Sequence, residues 1–124
     1  MENLQTVIEQ AWANRDLLQD VGVQDTIKQV VSLLNEGKVR VAEPTPNGWQ
    51  VNDWIKKAVI MYFPIMKMET MEVGPFEFYD KIPLKNKYAD LGVRVVPHAI
   101  ARHGAYLSPG VIMMPSYEIG RAHV

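Results

Sequence analysis

Few side chains in this sequence combine a reactive type with a suggestive setting, and Arg94 comes first among them. It opens the run Arg94-Val95-Val96-Pro97, and a guanidinium fork can hold a carboxylate through two parallel hydrogen bonds. On residue type alone, a solvated or structural arginine is the commoner role. His98 and His103 could move a proton near neutral pH, but both are expected to be surface imidazoles, with Arg102 and Lys87 as surface cations. Asp53, Asp80 and Asp90 have no spacing that marks an acid–base pair. Lys56 and Lys57 read as solvated helix charges rather than a phosphate site. No metal-ligand or phosphate-loop motif is present. With no cysteine in the chain, thiolate nucleophiles, thiolate zinc sites and disulfides are all excluded.

The elements that must position these residues begin with two amphipathic helices. Leu4, Val7, Ile8, Ala11, Trp12 and Leu18 fall at helical spacing, opposite Glu2, Glu9, Arg15 and Asp16. Gly22 is expected to break that helix. Val23, Ile27, Val30, Val31 and Leu34 then form a second apolar stripe, with Asp25 near its positive end and Gly37 at the left-handed C-cap position. Val39 and Val41, then Trp49 and Val51, alternate around Pro44-Thr45-Pro46-Asn47-Gly48, which predicts a β-hairpin. Asn52 is placed to cap a third helix carrying Trp54, Ile55, Ala58, Val59, Met61 and Tyr62, ended by Pro64. These helices and the hairpin are expected to close one core around Trp12, Leu34 and Trp54. The methionines from Met66 to Met71 read as packing residues, Pro75 to Tyr79 as a further strand, and Lys81 to Tyr88 as an exposed basic connection.

From Val95 the period becomes six. Apolar residues recur at Val95, Ala101, Leu107, Met113 and Ile119, and small or apolar ones follow at Ala99, Ala105, Val111 and Tyr117. Pro97, Gly104, Pro109-Gly110 and Pro115 fill the turns between them. Neither a helix nor a simple strand has this period. A parallel β-helix does, because each short strand forms one side of a triangular coil and turns one side chain inward.

Composition sets the outer limits. The chain has 124 residues, 13 Lys+Arg against 14 Asp+Glu, and a formal net charge of −1. One modest domain or two very small ones fit that length, and 48% hydrophobic residues argue against wholesale disorder. The charge balance excludes the concentrated basic excess of a general nucleic-acid binder. The N-terminus lacks a secretory signal pattern. Ala58 to Met66, the longest apolar run, falls short of the roughly 20 residues that cross a bilayer. A soluble cytoplasmic protein, with no nucleic acid and no membrane among its partners, is the expectation.

Arg94-Val95-Val96-Pro97, Gly104-Ala105 and Met114-Pro115-Ser116-Tyr117 together resemble tetrahydrodipicolinate N-succinyltransferases. So do Arg40-Val41-Ala42-Glu43 with Trp49, and Trp54-Ile55-Lys56-Lys57-Ala58-Val59. The resemblance runs from the N-terminus to Tyr117. It implies an α+β fold: a small helical N-terminal domain with a hairpin (1–66), a connecting segment (67–94), and the first coil of a left-handed parallel β-helix of hexapeptide repeats (95–117). It also implies a homotrimer that transfers succinyl from succinyl-CoA to a dicarboxylate acceptor, with succinyl-CoA as co-substrate and no bound cofactor. By resemblance Arg94 contacts the acceptor substrate. The family's acid–base carboxylates and CoA groove belong to later coils, so no catalytic, cofactor-binding or metal residue is expected within this chain, which is expected to be inactive alone.

Residues 118–124, Glu-Ile-Gly-Arg-Ala-His-Val, leave the family pattern. They are expected to be a non-native tail, since a codon series matching a sequencing adapter can encode them, and His123 is given no role. Two other readings compete: another hexapeptide acyltransferase using acetyl-CoA, and a non-catalytic helical protein-interaction module.

Overall fold

A computed structural model of the chain describes residues 2–124, so Met1, the first residue of the expected 1–66 domain, lies outside them. The described residues form a mixed helix and strand architecture that divides into two compact units. One holds residues up to 31 together with 39–81, and the other holds 32–38 and 82–124.

The first unit starts with α1 (Glu2–Ala13), a short 3-10 helix (Arg15–Gln19) and the larger part of α2 (Val21–Asn35). Gly22 does not break a helix here; it lies in the first turn of α2. The chain turns instead between Asn14 and Asp20. Asn14 caps the 3-10 helix, its side chain accepting from the Asp16 amide. Asp20 Oδ1 accepts from the amides of Gly22 at 2.7 Å and Val23 at 3.3 Å, satisfying donors that the start of α2 would otherwise leave open. Asp20→Ala is therefore expected to cost about 0.5–2 kcal/mol, measured as a lowered urea midpoint.

The hairpin pairs β1 (Ala42–Thr45) with β2 (Gly48–Val51) antiparallel, and Gly48 supplies the positive φ of 120° at the turn. Helix α3 (Asp53–Ile65) follows. Asn52 holds the cap position, yet its side chain does not cap. Its amide donates to the Arg40 carbonyl at 2.8 Å and its oxygen accepts from Gln50 Nε2 at 3.0 Å. Pro64 lies within the last turn of α3 rather than beyond it. A second hairpin, β3 (Glu69–Val73) with β4 (Phe76–Asp80), takes in the methionine-rich stretch.

Ile8, Ala11, Ile27, Val30, Ile55, Ala58 and Met61 are fully or almost fully enclosed, as helical periodicity predicts. Trp54 is buried with them, but Trp12 is not. The Arg15 guanidinium sits 4.2 Å from the centre of the Trp12 ring and Lys57 Nζ lies 5.8 Å away. Two cations drawn to the negative face of an indole keep that ring at the surface. Lys57 also bridges to Glu9 at 2.9 Å, joining α3 to α1.

The second unit contains the end of α2, a short helix α4 (Tyr88–Leu91), and six two-residue strands: β5 (Arg94–Val95), β6 (Ile100–Ala101), β7 (Tyr106–Leu107), β8 (Ile112–Met113), β9 (Tyr117–Glu118) and β10 (Arg121–Ala122). They pair parallel as β5 with β8, β6 with β9 and β7 with β10. Arg94 faces Ile112, eighteen residues on, as three sixfold steps require. Ile100 faces Tyr117 and Tyr106 faces Arg121, so the offset shortens along the ladder, and Ile119, expected at an inward sixfold position, is exposed. Ala101, Ala105, Leu107, Val111 and Met113 form a buried cluster with Val93, and Ala122 packs against it. Among the described residues, no helix is long and apolar enough to cross a membrane.

Candidate functional site

Arg94 owes its position to the turn before it. Helix α4 ends on Gly92, whose φ of 71° reverses the chain so that the Val93 amide donates to the Tyr88 carbonyl at 3.0 Å. Strand β5 then runs beside β8, with the Arg94 amide donating to the Val111 carbonyl and the Val96 amide to the Met113 carbonyl, each at 3.0 Å. Successive strand side chains point to opposite faces. Met113 points inward and is buried, Val95 packs against the cluster, and Arg94 and Ile112 face out and are exposed. The guanidinium is thus held on a fixed strand with its outer side open to solvent.

The other sequence-selected groups do not converge. His98 is exposed. Asp53 is in the first turn of α3, 3.4 Å from Lys57, and Asp80 closes β4, both in the first unit. Asp90 lies on α4 in the second. Among the described residues, no three His, Asp or Glu side chains are grouped to hold a metal ion.

Two readings of the second unit need correction. Lys85, expected on an exposed connection, is only 8% exposed. Its Nζ donates to Asn35 Oδ1 at 2.7 Å and to the Asn35 carbonyl at 3.1 Å. Asn35 ends α2, where the helix dipole is negative and the last turn has no basic residue of its own. Lys85 supplies that missing cation, and burial lowers its pKa from the usual lysine range. His103, expected at the surface, is half-buried, and its pKa is lowered by burial and then by the Lys85 charge. No sequence signal marks Lys85, because its burial depends on a helix fifty positions away.

The sequence model described as "Tetrahydrodipicolinate N-succinyltransferase N-terminal" matches residues 3–65, about half of the chain. The chain is 45% identical over 125 residues to the 2,3,4,5-tetrahydropyridine-2,6-dicarboxylate N-succinyltransferase of Bordetella petrii, covering 93% of this chain and 46% of that protein. It is 41% identical over 127 residues to the Pseudoalteromonas translucida protein of the same name, and 42% identical over 127 residues to that of Legionella pneumophila; each covers 94% of this chain and 46% of the relative. The chain belongs to the tetrahydrodipicolinate N-succinyltransferase family. It spans somewhat less than half the length of these relatives.

Proposed function

We propose that this chain is the N-terminal part of an acyltransferase that moves a succinyl group from succinyl-CoA to tetrahydrodipicolinate, in its 2-amino-6-oxopimelate form, during lysine and diaminopimelate synthesis in the cytoplasm. The observation that carries this reading is the similarity to named succinyltransferases over more than nine-tenths of the chain. In the proposed reaction the free amine of the acceptor attacks the thioester carbonyl, a carboxylate takes the amine proton, and CoA leaves as the thiol once the carbon–sulfur bond breaks. No acyl-enzyme forms, so the absence of cysteine is no obstacle. In this reading residues 95–117 begin a left-handed parallel β-helix, three copies assemble into a trimer, and the catalytic carboxylate and CoA groove lie in the part of the relatives that this chain does not span. The seven residues after Tyr117 are a non-native tail.

Arg94 is proposed to hold one carboxylate of the acceptor. Its exposure on a fixed strand and its place in the Arg94-Val95-Val96-Pro97 block support the role. The test joins residues 2–117 to the C-terminal half of the Bordetella petrii relative and follows CoA release. The joined protein is expected to be active and the 124-residue chain inactive. Arg94→Lys in the joined protein should raise KM for the acceptor more than KM for succinyl-CoA, because lysine keeps the charge but loses the fork. Equal changes would remove Arg94 from the acceptor site, and a folded but inactive joined protein would overturn the reading as a whole.

A further inference from the structure

In the second unit, one neutral side chain holds two partners that belong to different segments. Asn35 Oδ1 accepts from Lys85 Nζ at 2.7 Å and from the Gly104 amide at 3.1 Å. The same turn is tied again through its backbone: the Lys85 amide donates to the Ala101 carbonyl and the His103 amide to the Pro83 carbonyl, both at 2.8 Å. Ala101 and Ala105, on either side of the turn, are fully buried, so its position sets how the following strand enters the core.

We propose that Asn35, Lys85 and His103 form a proton-sensitive latch on the turn between Ala101 and Ala105. Lys85 is a buried ammonium with neutral hydrogen-bond partners only. A proton on His103 places a second positive charge beside it, with no carboxylate in the cluster to offset the repulsion. The cheapest response is for the turn to leave Asn35, which carries His103 away from Lys85 and breaks the Gly104 bond. The other charged groups of the surrounding segments do not replace this pair. Arg102 adds positive charge on the turn and has contacts of its own, and Glu118, opposite Ala101 on β9, accepts from the Gly120 amide through Oε1. Glu36 pairs with Lys38 at the surface, and Arg121 lies over the Tyr106 ring with its Nε bonded to His123.

The sign follows from the depressed His103 pKa. Closure is favoured above the ordinary histidine value of about 6.5 and is lost as the pH falls through the lower value of the closed state. Amide exchange of the full chain, read by NMR from about pH 8 to about pH 5 and corrected for intrinsic rates, tests this. The Gly104 amide is expected to lose protection as His103 titrates, while Val30 in the first unit keeps its own. Lys85→Met should weaken the pH dependence at Gly104, leaving the part that burial of His103 sets, and move the His103 titration upward. Asn35→Asp, which keeps both acceptor bonds and adds a negative charge, should hold Gly104 protected at the acid end. Gly104 protection that is flat across the range in the unaltered chain would overturn the latch. So would a His103 titration that Lys85→Met and Asn35→Asp both leave in place.

Discussion

Leu107→Ala is expected to destabilise the second unit by about 2–5 kcal/mol, the range for removing a large aliphatic side chain from a closed core. Leu107 is 1% exposed on β7, and its cluster includes Ala101 and Ala105, which are too small to swing into the space it would leave. The cavity term should therefore persist except where Met113 of the same cluster can reach into it. Ile112→Ala is the control. Ile112 is 59% exposed on the outer face of β8, one residue from the buried Met113, and its loss should stay within about 0.5 kcal/mol. Denaturant-dependent amide exchange in the 94–113 region measures both, since it reads this unit without the other. Equal effects would mean that the two faces of the strands are not inward and outward as described.

Gly37→Ala carries the second large effect. Gly37 has φ +76°, and a Cβ there would stand 2.5 Å from Cδ1 and 2.6 Å from Cε1 of Tyr106. The left-handed backbone alone costs a non-glycine residue roughly 1–2 kcal/mol. Moving the ring adds to that and disturbs the Arg121 guanidinium 4.4 Å from its centre. Gly37→Ala should lower stability by more than the backbone term, and Gly37→Ala combined with Tyr106→Ala should recover part of the loss relative to the sum of the two single changes. Strict additivity would show that the ring yields without cost.

Much of this arrangement is legible because its causes are local. The stripes over Ile8, Ala11, Ile27, Val30, Ile55, Ala58 and Met61 need only helical period, and all seven are buried. The sixfold spacing from Val95 places Arg94 opposite Ile112, since three equal steps of six make eighteen. Part of what could not be read depends on partners brought from a distance, and part on near neighbours that compete for a side chain. Trp12 has a buried residue's character, but Arg15 and Lys57 hold its face at the surface. Asn52 has a capping residue's character, but the Arg40 carbonyl and the Gln50 amide take its side chain. Asp20 was open to a local reading, because an aspartate directly before Val21 and Gly22 can cap; the glycine is the stronger break signal and hides it. For the candidate site, Arg94 stands out through its block, whereas the Asn35, Lys85 and Gly104 contacts have no periodicity or motif to reveal them.

Strand β10 belongs to the seven residues after Tyr117, yet it completes a ladder. The Tyr106 amide donates to the Gly120 carbonyl and the Ser108 amide to the Ala122 carbonyl, each at 2.9 Å. Such a ladder recognises peptide groups and is blind to the side chains they carry. Residue identity enters at the inward position, where Ala122 packs against the cluster of Leu107 and Met113, and on the outer face, where the Arg121 guanidinium lies over the Tyr106 ring. In engineering terms, β7 is a permissive docking edge for a segment spliced on later in the chain. A foreign segment joined after Tyr117 needs a small apolar residue at the place of Ala122, accepting carbonyls at the places of Gly120 and Ala122, and a side chain at the place of Arg121 that can lie on the Tyr106 ring.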